Sequence, residues 1–85
     1  MKHAGATALN ELAALLAEIR QLPDLQERKP GIFYRRAQAF LHFHEDSAGL
    51  FADAKLGGAK FERLPVQTPA QRGELLQRLR ETLDV

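Results

Sequence analysis

The chain has 85 residues, 45% of them apolar and 27% charged, and twelve Lys and Arg against eleven Asp and Glu give a net charge of +1. A chain of this length buries roughly 60% of its unfolded surface, so we expect one domain over residues 1–85 without a large internal active-site cavity. The near-neutral charge lacks the basic excess of a dedicated nucleic-acid binder, and the absence of Cys excludes disulfides, thiolate nucleophiles and Cys-ligated metal centres.

The first predicted element is an amphipathic helix over residues 7–22. Its apolar residues recur at three- and four-residue spacing, as Leu9, Leu12, Leu16 and Ile19. Pro23 disfavours a helical conformation in the residue before it, so the helix ends at or just before residue 22. Residues 22–31 are then predicted to be a linker.

Between residues 32 and 66 the apolar period changes to two, which is typical of β-strands. Turn residues divide this stretch into a four-stranded antiparallel meander, with the fourth strand over residues 60–66. A two-residue turn at Arg36-Ala37 pairs Phe33 with Phe40. A turn over residues 46–49 pairs His42 with Asp53.

These registers sort the strand residues into two faces. The face expected to pack against the helices holds Ile32, Tyr34, Ala39, Leu41, Phe43, Ala52, Ala54 and Leu56. The opposite face holds Phe33, Arg35, Phe40, His42, His44, Phe51, Asp53 and Lys55. Because two helices can cover only one side of such a sheet, either a helix crosses to this second face or its rings meet something outside the monomer. We favour the second alternative and expect this face to be open and to serve as a binding surface.

The last predicted element is a helix that begins at Pro69. Thr68 and Gln71 have the spacing of a capping box, and proline is favoured at the first helical position. A stripe of leucines follows, at Leu75, Leu76, Leu79 and Leu83. The predicted fold is therefore α+β: an N-terminal helix, a four-stranded antiparallel meander and a C-terminal helix, with the helices mainly on one face.

His42 and His44 project from the same side of a strand, with Asp53 opposite His42. Imidazole and carboxylate groups in this arrangement can bind a divalent metal, or form the orienting half of a catalytic dyad. Two imidazoles are too few for a structural zinc site, and no nucleophile accompanies them. We therefore predict no metal, no cofactor and no catalytic residue, and a metal-dependent or histidine-assisted activity is the third interpretation.

Basic and aromatic residues are interleaved around the predicted first hairpin. They are Arg28, Lys29, Arg35 and Arg36 with Phe33 and Phe40. Rings that stack on bases and cations that follow phosphates are the components of a single-stranded nucleic-acid platform. The same residue types are also typical anchors of protein interfaces.

Three motifs, KPGIFYRR over residues 29–36, FLHFHED over 40–46 and GLFAD over 49–53, give the chain a family resemblance. They resemble a group of small bacterial proteins of unknown activity with a helix–meander–helix plan, and the resemblance covers about half of the chain. It implies an α+β fold and a bacterial cytoplasmic protein, but no activity. The element order is more distantly similar to that of YjbR-like proteins, which have been likened to DNA-binding modules.

The favoured interpretation is a small non-enzymatic binding or interaction module that uses the open face of its sheet. A protein partner or a second copy of the chain is preferred over nucleic acid as its ligand. The first six residues lack the apolar region of a secretory signal, and we expect a cytoplasmic protein with no membrane partner.

Overall fold

A computed structural model of the protein describes residues 2–85, and Met1 lies outside the described residues. The elements in chain order are β1 (Lys2–His3), α1 (Ala6–Glu11), α2 (Ala13–Ile19), β2 (Leu25–Lys29), β3 (Ile32–Arg35), β4 (Gln38–Asp46), β5 (Gly49–Ala54), β6 (Glu62–Pro65) and α3 (Pro69–Leu83). The predicted α+β class, with an antiparallel sheet and a C-terminal helix, is confirmed.

The sheet has six strands in this structure, two more than predicted. Its main order is β2-β3-β4-β5-β6, and β1 pairs with β4. The predicted linker over residues 22–31 contains β2, whose charged sequence gives no clear period-two signal. β1 is only two residues long, too short for any periodicity to reveal it.

The predicted N-terminal helix is divided into α1 and α2 at Leu12. This residue has a φ of −91° and a ψ of 7°, away from helical values. Helical hydrogen bonds nevertheless continue on both sides of Leu12. The Leu12 N–H donates to the Ala8 carbonyl at 3.1 Å, and the Leu12 carbonyl accepts from the Leu16 N–H at 2.9 Å. α2 ends at Ile19, three residues before the predicted end at residue 22.

A β-bulge between β3 and β4 corrects the predicted faces of the first hairpin. The two-residue turn at Arg36-Ala37 is present, but Phe33 pairs with Leu41 and Ile32 with His42. Phe40 is therefore the extra residue of the bulge, which moves Phe33 to the face of Leu41. The prediction that Phe33 and Phe40 lie on the open face is wrong, because they are only 1% and 3% exposed and belong to the core.

One apolar cluster joins the helices to one face of the sheet. Its helical members are Ala8, Leu12, Leu15, Leu16, Ile19, Leu75, Leu76, Leu79 and Leu83. Its sheet members include Phe33, Phe40, Leu41, Phe43, Leu50, Ala52 and Ala54. The face opposite this cluster is called the open face below.

α3 begins as the sequence predicted. The Gln71 N–H donates to Thr68 Oγ1 at 3.2 Å, and the Thr68 N–H donates to Gln71 Oε1 at 3.0 Å. These reciprocal bonds form the capping box. No helix within residues 2–85 has the length and apolar character needed to span a membrane.

Candidate functional site

Two rows of side chains cross the open face, because cross-strand partners in an antiparallel sheet share a face. The first row is Ile32, His42, Asp53 and Arg63. The second row is His3, His44, Phe51 and Pro65. The predicted pairing of His42 with Asp53 is confirmed, and all three histidines of the chain fall in these two neighbouring rows.

His3 reaches this face because β1 pairs with β4 beyond the last residue that pairs with β3. The Ala4 N–H donates to the Phe43 carbonyl at 3.0 Å. The Gly5 N–H donates to the Glu45 carboxylate at 2.6 Å. These bonds fix the N-terminal segment against β4, so that His3 stands directly opposite His44.

His3, His42 and His44 form a compact group, called the histidine cluster below. One ring nitrogen from each histidine lies within 4.8 Å of the corresponding nitrogens of the other two. The closest pair is His42 Nδ1 and His44 Nε2, 2.7 Å apart. The three ring centroids are separated by 4.7 to 5.6 Å, and the cluster runs from exposed His3 through half-buried His42 to buried His44.

Asp53 places a carboxylate beside the cluster. Its Oδ2 atom lies 2.9 Å from His44 Nε2, and Arg63 donates to both carboxylate oxygens at 2.8 and 2.9 Å. The contact with His44 replaces the predicted dyad in which Asp53 orients His42. His44 and Asp53 are only 9% and 8% exposed, although both lie on the open face.

The environment favours neutral His42 and ionised Asp53. Burial lowers the pKa of the His42 imidazole, and the neighbouring His44 lowers it further. The hydrogen bonds from Arg63 lower the pKa of the Asp53 carboxyl despite its burial. Near neutral pH, the site therefore presents the lone pair of neutral His42 close to a carboxylate.

His44 Nε2 faces two groups that both have lone pairs. A carboxylate only accepts hydrogen bonds, and a ring nitrogen carries at most one proton. A proton on His44 Nε2 can be donated to Asp53 but then faces His42, whereas without that proton the nitrogen can accept from His42 Nδ1–H but its lone pair faces the Asp53 carboxylate. His44 Nδ1 is buried and has no hydrogen-bond partner among residues 2–85. The local hydrogen bonding is thus incomplete in either tautomer.

Among the remaining residues of the predicted binding surface, Phe51 joins the histidines, whereas Lys55, Arg35, Phe33 and Phe40 do not. Phe51 is half-buried and pairs with His44 on the open face. Lys55 places its ammonium group 5.0 Å from the centre of the Phe61 ring. Arg35 stands with its guanidinium 5.7 Å from the centre of the buried Phe40 ring. Only His42, His44, Phe51 and Asp53 of the predicted set form a continuous group.

The four predicted cations of the first hairpin do not come together. Arg28 and Lys29 lie near the β2–β3 turn, where Lys29 pairs with Ile32. Arg35 and Arg36 lie at the other end of β3, about 10 Å away at the usual rise of a strand. Arg28 stacks on the Tyr34 ring at 4.3 Å, while Phe33 and Phe40 are buried, so the predicted basic and aromatic platform is not formed.

Three residues of the site were missed by the sequence analysis: His3, Phe61 and Arg63. The Phe61 ring lies 4.9 Å from that of His42 and is 40% exposed. Arg63 could have been found from charge complementarity with Asp53, had the register of the last strand been known. The sequence clue to His3 was that the chain has three histidines and that His3 is the one left after His42 and His44.

Comparisons with known proteins gave no match: no family model, curated protein or solved structure is significantly similar to this chain. The resemblance to small bacterial proteins and to YjbR-like proteins therefore stays a prediction.

Proposed function

We propose that the protein is a small binding module whose ligand is a divalent transition-metal ion. The ion is held on the open face by His3, His42 and His44, with Asp53 beside them. The observation that carries this proposal is the convergence of all three histidines of the chain within 4.8 Å, although His3 is far from the others in sequence.

The donor set supports Zn²⁺ or a similar first-row ion. Three imidazole nitrogens with one carboxylate oxygen suit zinc, copper, nickel and iron better than the hard cations Mg²⁺ and Ca²⁺. Around a tetrahedral ion with bonds of about 2.1 Å, neighbouring ligand atoms lie roughly 3.4 Å apart. His42 Nδ1 and His44 Nε2 are 2.7 Å apart, so small ring rotations would open the space for an ion.

A bound cation would also remove the conflict at His44 Nε2, the atom that faces both His42 and Asp53. The ion accepts lone pairs from His42 and His44, and its charge removes their repulsion with the Asp53 carboxylate. Asp53 is the nearest source of a fourth ligand, because its Oδ2 atom already lies 2.9 Å from His44 Nε2. This proposal departs from the sequence-based prediction of no metal, which assumed that only two imidazoles converge.

The test is titration of the untagged protein with Zn²⁺ by calorimetry and with Co²⁺ by absorption spectroscopy. We expect one ion per chain and a Co²⁺ spectrum typical of four-coordinate nitrogen and oxygen ligation. His3→Ala, His42→Ala and Asp53→Asn should each weaken binding at least about tenfold, which is the size of effect that even outer partners of metal ligands produce.

His3→Ala is the most informative variant, since His3 is exposed and its removal leaves the core intact. Lys2→Ala is the matched control, because it changes the preceding residue of the same strand without removing a ligand. Absence of Zn²⁺ binding at 100-fold molar excess would contradict the proposal. So would binding that survives both His3→Ala and His42→Ala.

A second candidate function is a protein-interaction surface on the same face, involving a partner or a second copy of the chain. The observation that favours it is Phe61, a large apolar side chain that is 40% exposed beside His42, with half-buried Phe51 on the same face. Phe61→Asp should abolish any self-association in sedimentation experiments without altering the circular dichroism spectrum. Self-association that persists in this variant would exclude the surface.

A further inference from the structure

A basic cleft lies at the end of the sheet where β3 turns into β4. It has a volume of about 340 Å³ and is lined by Arg35, Arg36, Gln38, Phe40 and Lys55, among others. This volume is at the lower end of the range for small-molecule sites. The cleft is therefore large enough for a phosphate-bearing small molecule.

Positive charge in this cleft is not neutralised within the protein. Arg35, Arg36 and Lys55 form no ion pair within residues 2–85, and no acidic residue lines the cleft. Other arginines of the same chain are paired: Arg20 with Glu27, Arg63 with Asp53 and Arg78 with Glu62. The three cations of the cleft are thus free to bind an external anion.

Within the described part of the chain, Arg35 lacks a hydrogen-bond acceptor for its Nε–H as well as an ion-pair partner. Its Nε atom is buried and has no hydrogen-bond partner among the described residues, whereas buried polar groups are normally paired. The guanidinium is held by its position near the Phe40 ring instead of by a carboxylate. An oxyanion in the cleft would offer acceptors to the other N–H groups of the planar guanidinium.

The turn that carries Arg36 is conformationally costly. Arg36 and Ala37 have φ values of 52° and 67°, a left-handed region in which two-residue hairpin turns normally place Asn or Gly. Neither residue relieves this strain, and strained backbone is often retained where a side chain must be presented to a ligand. Here the turn holds Arg36 at the rim of the cleft, near Arg35 and Lys55.

We infer that this cleft binds a small phosphate-bearing anion through Arg35, Arg36 and Lys55. Arg35 supplies a planar donor for two phosphate oxygens, whereas Arg36 and Lys55 supply charge from the other walls. The inference is separate from the proposed metal site, because it uses none of the histidine cluster. An extended nucleic acid is not favoured, since the cleft is short and its aromatic floor, Phe40, is only 3% exposed.

The test is nuclear magnetic resonance of the ¹⁵N-labelled protein, titrated with inorganic phosphate, pyrophosphate and AMP at constant ionic strength. The Nε–H signal of Arg35 and the backbone signals of Arg36 and Lys55 should shift together and saturate. Acetate at the same ionic strength should bind at least about tenfold more weakly, since it carries less charge and fewer acceptors. Comparison of phosphate with AMP shows whether a free phosphate or a nucleotide is preferred.

Substitutions of the three cleft cations test whether the anion binds at this cleft. Arg36→Gln and Lys55→Gln should each weaken pyrophosphate binding roughly tenfold or more, because each removes a charge-assisted contact. Lys29→Gln is the matched control: it removes the same charge at the opposite end of β3 and should leave the affinity unchanged. Arg35→Lys retains the charge but loses the planar donor, and should also weaken binding.

Three outcomes would overturn the inference. One is no saturable shift with any phosphate compound. Another is an equal loss of affinity in Lys29→Gln and Arg36→Gln, which would indicate non-specific attraction to charge. The third is tight binding of a single-stranded oligonucleotide that Lys29→Gln weakens as much as Lys55→Gln does, which would indicate an extended nucleic-acid surface.

Discussion

Phe43 lies where the sheet contacts the helices. It is 1% exposed and pairs with Ala52, whose small side chain lets the helices approach this face. Phe33 is equally buried, one strand away. Because the surrounding core relaxes only partially after truncation, the loss of either ring leaves a cavity as well as removing apolar contacts.

Phe43→Ala should therefore reduce the free energy of unfolding by roughly 3–5 kcal/mol, and Phe33→Ala by a similar amount. A domain of this length has a total stability of about 4–13 kcal/mol, so at the lower end of this range either variant would unfold the domain. Phe61→Ala is the control and should cost less than about 1 kcal/mol, because the ring is 40% exposed. Urea unfolding of the three variants checks the assignment, and equal losses in all three would contradict it.

The sequence placed Phe43 correctly and Phe33 wrongly for a physical reason. The alternation of β4 and its turn to β5 are regular, so the register of Phe43 with Ala52 follows from period two alone. The face on which Phe33 lies depends on the bulge at Phe40. A single inserted residue moves every side chain beyond it to the opposite face of the sheet. The pattern of apolar residues is compatible with both registers, and only packing against the helices decides between them.

At the scale of elements, one carboxylate joins α2 to β2 and to the following turn. Glu27 accepts from the Arg20 guanidinium at 2.6 and 2.9 Å and from the Gly31 N–H at 2.9 Å. The hydrogen bonds from Arg20 lower the pKa of Glu27. Glu27 thus helps to hold β2, the edge strand that the sequence did not predict.

This contact gives a pH-dependent contribution to stability. The Glu27 pKa is lower in the folded protein than in the unfolded chain, so its contribution is complete above the unfolded value and is lost as pH falls through the folded value. Glu27→Gln should lower the free energy of unfolding by roughly 1 kcal/mol at pH 7, a modest amount because solvent screens the half-exposed Arg20.

The difference between wild type and Glu27→Gln should then shrink as pH falls below about 4.5, the ordinary pKa of glutamate. Urea unfolding at a series of pH values measures it. Glu18→Gln is the matched control, since Glu18 is exposed on α2 and forms no ion pair within residues 2–85. A constant difference across the pH range would show that Glu27 does not act through its charge.

Elements differ in how well the sequence reveals them. α3 combines a capping box with a leucine stripe, so its local signals and its packing agree. β1 and β2 carry no such signal, because β1 has two residues and β2 is mostly charged. Both are held by contacts distant in sequence, such as the Gly5 bond to Glu45, and these contacts could not be derived from local periodicity.

At the scale of the whole molecule, the helices cover one face of the sheet and leave the histidine cluster on the other. His42, His44 and Asp53 could be grouped from the sequence, because they lie on adjacent strands joined by a tight turn. His3 could not, since its place depends on how the N-terminal segment returns to β4. The difference between two imidazoles and three changes the chemistry that the site supports.

The proposed metal ion would connect β1 to β4 and β5, so its binding should raise the stability of the whole domain. A ligand present at about 100 times its dissociation constant adds roughly 2.7 kcal/mol to the free energy of unfolding if it binds only the folded protein. For a domain of this size each kcal/mol shifts Tm by about 4–8 °C. Zn²⁺ should thus raise Tm by roughly 10–20 °C.

Calorimetric scans with and without Zn²⁺ measure this shift, and EDTA should reverse it. Mg²⁺ at the same concentration should have little effect, since it prefers oxygen ligands in octahedral geometry. In His3→Ala the shift with Zn²⁺ should largely disappear, because the link from β1 to the sheet loses its ligand, whereas Lys2→Ala should retain it. A Tm that rises equally in His3→Ala would place the ion elsewhere and remove β1 from the site.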